Sequence, residues 1–153
     1  MMKVLKASAG SGKTYNLAKE YIKLLLQDRA REDCRPYRHI LAVTFTNKAT
    51  AEMKGRIVKE LDVLGRNPAA SPYLAELMAE TDLKSPEALG AECRKALSAI
   101  LSDYGAFSVS TIDKFFQRVL RAFSRELGQI AQYQVELDKA MLVQETVDRV
   151  LDS

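Results

Sequence analysis

The sequence predicts an α/β fold of parallel strands covered by helices, and three strand-to-helix junctions predict it. A short apolar run from Lys3 to Lys6 passes through Ala7-Ser8-Ala9-Gly10-Ser11-Gly12-Lys13-Thr14 into an amphipathic helix pattern. His39-Ile40-Leu41-Ala42-Val43-Thr44-Phe45 is a continuous apolar run rich in branched residues, and a second helix pattern follows it. Phe107-Ser108-Val109-Ser110-Thr111 alternates apolar with polar and leads into a third. Strand followed by helix, repeated along the chain, is the order that builds a parallel sheet with helices on its faces.

The first junction carries chemistry. Small residues at Ala9, Gly10 and Gly12 let successive backbone N–H groups turn inward around a phosphate at a helix N-terminus. With Ser11 between the glycines, the loop is a phosphate cradle. Lys13 supplies a point charge for the β- and γ-phosphates of a nucleotide, and the Thr14 hydroxyl is placed to ligate Mg²⁺. Ala7 stands where the pattern usually starts with glycine, a change tolerated at a strand end where positive φ is not needed. The competing account is a Gly/Ser-rich turn that touches no ligand; the strand-loop-helix setting favours the cradle. The helix is predicted from Lys13 toward Gln27, with Leu17, Tyr21, Leu24 and Leu25 on its apolar face.

A length of 153 residues, 47% of them hydrophobic, supports one α/β domain with a core and is too short for two. No signal-peptide pattern is present, and no apolar stretch approaches the roughly 18 residues of a membrane span. The expectation is a soluble cytoplasmic protein with no membrane partner. Cys34 and Cys93 lack CxxC spacing and share the chain with a single histidine, His39, which predicts two reduced thiols rather than a zinc site or a disulfide. The net charge of +3 is unevenly spread: segments 1–34, 35–66 and 104–135 are basic, whereas 67–103 and 136–153 are acidic. The basic excess coincides with the motifs, which suits polyanionic ligands such as nucleotide and nucleic acid.

Further along, the polar cluster Gln27 to Tyr37 reads as an exposed connection. The strand His39 to Phe45 is expected to be covered on both faces, and it ends abruptly at Thr46-Asn47-Lys48, the carboxyl edge where open α/β sheets bind ligands. A helix over Lys48 to Leu64 follows, ended by Gly65-Arg66-Asn67-Pro68. Ser71-Pro72 and Ser85-Pro86-Glu87 each read as an N-cap followed by proline, predicting a short helix near 72–80 and a longer one near 86–103. Residues 66–106 therefore form a helical insertion that covers or flanks the sheet. In the third helix, Phe115, Phe116, Val119, Leu120 and Phe123 make a stripe expected to pack in the core, while Arg118, Arg121 and Arg125 share a solvated face. The main domain is expected over 1–135, with a second helical subdomain starting at 136–153. A second carboxylate site for Mg²⁺ and water is missing: Ile100-Leu101-Ser102-Asp103 lies in a helical pattern, and Thr111-Ile112-Asp113 lacks the apolar run. The chain should bind nucleotide and hydrolyse it poorly or not at all by itself.

The segments KASAGSGKTYNLA from Lys6, ILAVTFTNKATAEMKGRI from Ile40 and FSVSTIDKFFQRVLR from Phe107, in this order, resemble the N-terminal part of a superfamily 1 DNA helicase of the UvrD/Rep type. Within that group they resemble the RecB/AddA-like subunits of ATP-dependent helicase-nucleases. The resemblance spans nearly the whole chain, and VTFTNKATAEM is its specific part. It implies a three-layer, RecA-like P-loop NTPase motor domain, present in part. It implies ATP and Mg²⁺ as cofactors, bound by Gly10, Ser11, Gly12, Lys13 and Thr14, with Lys13 and Thr14 in catalysis. It implies single-stranded DNA on Phe45, Thr46, Asn47 and Thr111, and its implied partners are duplex DNA and a second helicase-nuclease subunit. The third segment is usually Thr-x-His; here Asp113 takes the histidine's place, and it repels phosphate unless it caps the helix or pairs with Lys114. The remaining motifs would lie beyond Ser153. Two other functions fit the phosphate loop alone: a small nucleoside or nucleotide kinase using Arg118, Arg121 and Arg125, and a non-hydrolysing nucleotide-dependent interaction module.

Overall fold

The structure, a computed structural model, describes residues 12–28 and 35–126. The strand expected over Lys3 to Lys6, the loop residues Ala9, Gly10 and Ser11, Cys34, and the helix expected from Asp138 lie outside the described residues. The chain divides into two compact units, Met1–Phe116 and Gln117–Ser153.

The first unit is built on helices. Helix α1 (Gly12–Gln27) buries Ala18, Tyr21, Ile22, Leu25 and Leu26. That set repeats at three- and four-residue steps, and it is turned from the expected stripe: Leu17 and Leu24 face solvent. A 3-10 turn (Pro36–Arg38) leads to strand β1 (Ala42–Thr44), and helix α2 (Asn47–Arg66) follows directly. Helix α3 (Leu74–Glu80), helix α4 (Pro86–Ser102), a 3-10 turn (Tyr104–Ala106) and strand β2 (Val109–Thr111) complete the crossover. Helix α5 (Ile112–Glu126) leaves the end of β2.

Helix α2 is central to the packing. Its Met53, Ile57, Leu61 and Leu64 are buried, and α1 and α4 both pack against it. Residues 66–106 join the same core, through Tyr73, Leu77, Leu83, Leu89, Cys93 and Ile100. Close approach of α4 needs glycine at two places. A Cβ on Gly90 would stand 3.0 Å from the Leu64 carbonyl oxygen and 3.1 Å from the Pro68 ring; one on Gly65 would meet Arg94 Cγ at 2.8 Å. Gly65 therefore lies inside α2 as a packing position, and the helix continues to Arg66 before Asn67 caps it.

The two strands are parallel, in the register Ala42 to Val109, Val43 to Ser110 and Thr44 to Thr111. Each is shorter than the stretch that predicts it, 39–45 for β1 and 107–111 for β2. The expected burial patterns are also exchanged. Leu41 and Val43 are exposed while Ala42 and Thr44 are half-buried, so β1 has one covered face; all three residues of β2 are buried, Ser110 and Thr111 included. The reason is that β2 is flanked by β1 and α2, so its polar residues are enclosed along with Val109. In α5, Phe116, Leu120 and Phe123 are exposed rather than in the core, and Arg118 and Arg121 are exposed as expected. Among the described residues no helix is long and apolar enough to cross a membrane.

Candidate nucleotide and nucleic-acid site

Gly12 opens α1, so Lys13 and Thr14 stand in its first turn, with Thr14 half-buried. Unpaired N–H groups gather at such a helix start and favour an anion. No acidic residue lies in that turn to compete with a phosphate. The turn is held from behind by a residue that motif reading missed. The Tyr73 hydroxyl donates to the Tyr15 carbonyl at 3.1 Å, and the two rings meet edge to face at 4.5 Å. Tyr73 is fully buried, and burial pushes its phenol up to about 12, so it remains a donor throughout the physiological range. Further along α1, Lys19 pairs with Glu76, Lys23 pairs with Glu80 at 2.9 Å, and Gln27 Nε2 donates to the Glu80 carbonyl at 3.0 Å. These bonds fix α1 to α3. The hydrogen bond that the Lys19 ammonium donates to Glu76 holds it above its ordinary pKa.

The second half of the site is the carboxyl edge of the sheet. The parallel register sets Thr44 opposite Thr111, so the segment Phe45-Thr46-Asn47 and the segment Ile112-Asp113-Lys114 leave the sheet side by side. Phe45 is 87% exposed. Its neighbours are tightly held. The Thr46 hydroxyl caps α2 by accepting from Ala49 N at 3.1 Å, and the Thr46 carbonyl accepts from the hydroxyls of Thr44 and Thr50, each at 3.1 Å. Thr44 and Thr50 hydroxyls also bond each other at 2.6 Å. Thr111 plays the capping part for α5, its hydroxyl accepting from Lys114 N at 3.3 Å while it stays buried. Lys114 Nζ then reaches across to donate to Asn47 Oδ1 at 3.0 Å.

Of the predicted DNA-contacting residues, then, Phe45, Thr46 and Asn47 are exposed together, and Thr111 lies beneath them as a buried cap. Asp113 neither caps α5 through its side chain nor holds Lys114; it is exposed in the helix's first turn, where the dipole favours a carboxylate. Lys114 was not singled out by motif reading as a binding residue, because its partner lies 67 residues away in sequence.

Asp103 does not double as a metal carboxylate. It follows the last residue of α4, and its Oδ2 accepts from Tyr37 OH at 3.1 Å and from Arg38 Nε at 2.9 Å, with Arg35 Nη1 at 3.9 Å. The Arg38 hydrogen bond holds its carboxyl below the usual range. Among the described residues no cluster of His, Cys, Asp or Glu could hold a metal ion. Cys93 is a buried free thiol whose pKa burial raises to about 12.

Comparison with known proteins covers nearly the whole chain. The profile of the UvrD/REP helicase N-terminal domain matches residues 2–152. RecBCD enzyme subunit RecB of Escherichia coli (strain K12) is 32% identical over 147 residues, covering 92% of this chain and 12% of that protein. An ATP-dependent helicase/nuclease subunit of Streptococcus suis (strain 98HAH33) is 29% identical over 150 residues, covering 96% of this chain and 10% of the relative. RecBCD enzyme subunit RecB of Mycobacterium tuberculosis (strain ATCC 25618 / H37Rv) is 29% identical over 146 residues, 95% of this chain and 13% of the relative. The chain thus spans only 10–13% of the length of these relatives. No solved structure matches it significantly.

Proposed function

We propose, from the premise that the chain belongs to the UvrD/REP helicase N-terminal domain family, that it supplies ATP-binding residues and a stretch of single-stranded DNA track to an ATP-dependent DNA helicase-nuclease. The relatives' names, two of them RecBCD enzyme subunits and the third an ATP-dependent helicase/nuclease subunit, support the activity and a partner chain. The proposed site of action is the cytoplasm, where DNA is the substrate.

For the nucleotide half, the residues present fit ATP and Mg²⁺. A glycine at the helix start, a threonine in the first turn and no carboxylate there form an anion-receiving end. Gly10, Ser11 and Gly12 would donate backbone N–H groups, with Ala9 small enough to let the loop close. Lys13 would hold the β- and γ-phosphates and Thr14 would offer its hydroxyl to the metal. The bound ion would neutralise charge developing on the phosphates. Asp103 would not serve as the carboxylate that completes hydrolysis, since Arg38 and Tyr37 engage it.

The observation that carries the DNA half is the side-by-side departure of the Phe45–Asn47 and Ile112–Lys114 segments from two parallel strands, bridged by Lys114 and Asn47. An exposed aromatic at that edge can stack on a base of any identity, while Asn47 and the Thr46 hydroxyl hydrogen can bond the backbone. The test is a titration of the protein with ATP and Mg²⁺, alongside a Lys13→Ala variant. Lys13→Ala should abolish tight nucleotide binding; unchanged affinity would remove the phosphate-loop assignment.

A further inference from the structure

We infer that Lys114 is a phosphate contact of the single-stranded DNA track, positioned by Asn47, and that it supplies the positive charge which Asp113 withholds from the third segment. The inference rests on the proposed DNA track and adds to it a residue outside the Thr-x-His pattern.

Its basis is geometric. Lys114 stands in the first turn of α5 and Asn47 is the first residue of α2, brought together because β1 and β2 end in register. The Lys114 ammonium spends one N–H on Asn47 Oδ1 at 3.0 Å, and its side chain is exposed, so two donors face outward. No carboxylate pairs with it among the described residues. A cation in the first turn of a helix gains nothing from the helix dipole, which favours anions there. The fold itself therefore gives Lys114 no electrostatic reward beyond a bond to a neutral amide. A passing phosphate would supply that reward. The same edge carries Phe45, so a base stacked on the ring would bring its backbone phosphate to the rim where the ammonium is held.

Asn47 has a definite part in this. Its amide oxygen fixes a long flexible side chain in one place, so less rotamer freedom is lost when phosphate arrives. Its NH₂ group remains a donor to the same strand. Asp113 opposes binding from the adjoining position, and Lys114 offsets it.

The experiment measures the affinity of the intact protein for an oligothymidylate at several KCl concentrations. Wild type is compared with Lys114→Ala, Lys114→Arg, Asn47→Ala and Phe45→Ala; affinity for ATP and Mg²⁺ checks that each variant is folded. Losing one phosphate contact on a single strand should make the slope of log K against log salt shallower by about 0.7. Lys114→Ala should show that change together with weaker binding. Lys114→Arg should keep the wild-type slope, and Asn47→Ala should keep the slope while binding weakens. Phe45→Ala should weaken binding at unchanged slope, because stacking releases no counterions. If Phe45→Ala weakens binding while Lys114→Ala keeps the wild-type slope, the Lys114 assignment is overturned and the track stands. If neither substitution alters binding, the track falls and the assignment with it.

Discussion

Phe45 is a large aromatic with 87% of its surface exposed, held between a strand and a capped helix start whose threonines are bonded to one another. Exposure on so rigid a mount separates binding from folding. Phe45→Ala should change unfolding free energy by no more than about 0.5 kcal/mol, as for other surface substitutions. It should weaken single-strand affinity by about 1–3 kcal/mol. A urea melt and an oligonucleotide titration on the same preparation check both; a large stability loss with unchanged DNA affinity would make Phe45 a packing residue. Lys114 shows why some of this edge was invisible in the sequence. Motif spacing directs attention to the third position of Thr-Ile-Asp, and the next residue acquires meaning only when Asn47 is brought beside it by the sheet. Phe45 was legible as a motif residue, but its exposure was not, because His39 to Phe45 reads as an unbroken apolar run and the covered face depends on neighbours from elsewhere in the chain.

Helices α2 and α4 begin in the same way, with a hydroxyl accepting the third backbone N–H at 3.1 Å: Thr46 from Ala49 and Ser85 from Ala88. Replacing either by alanine should cost about 1 kcal/mol of stability. The two should part in function. Ser85→Ala should leave single-strand affinity at the wild-type value, whereas Thr46→Ala should also weaken it, since Thr46 sits between Phe45 and Asn47. Equal DNA affinity in both variants, measured where each is folded, would make Thr46 a cap and nothing more. Ser85-Pro86 was readable because cap and proline are local signals. Ser71-Pro72 carries the same signal, yet α3 starts only at Leu74: the Ser71 hydroxyl accepts from Tyr73 N at 3.2 Å and donates to Glu60 at 3.0 Å, a bond to another helix that no local pattern encodes. Gly65-Arg66-Asn67-Pro68 does end α2, at Arg66, but Gly65 itself has a packing role that the local pattern does not encode. Its missing Cβ makes room for Arg94 of α4, so the glycine serves a crossing between helices far apart in sequence.

Across the whole of the first unit, the approaches to the two strands are tied at Asp103. Tyr37 and Arg38 come from the turn before β1; Asp103 ends α4 just before the turn that leads to β2. One carboxylate oxygen therefore joins the chain just ahead of both strands, at the end of the sheet opposite the proposed DNA edge. Its folded pKa lies below the usual range, chiefly through the Arg38 hydrogen bond, so the contribution to stability has a definite sign with pH. It is fully present above the unfolded carboxyl's pKa, near 3.9, and is lost as pH falls through the lower folded value. Asp103→Asn keeps an acceptor for Tyr37 and removes the charge. Its urea midpoint should be below wild type at pH 7, and the gap should narrow as pH falls through the ordinary carboxyl range and on through the lower folded value, where the wild-type carboxyl takes up its proton. A gap that stays constant over that range would mean that shape or hydrogen bonding, not the ion pair with Arg38, is what Asp103 contributes. If the gap closes as expected, the fold that sets Thr44 beside Thr111, and with it Asn47 beside Lys114, draws part of its stability from a charge placed at the other end of both strands.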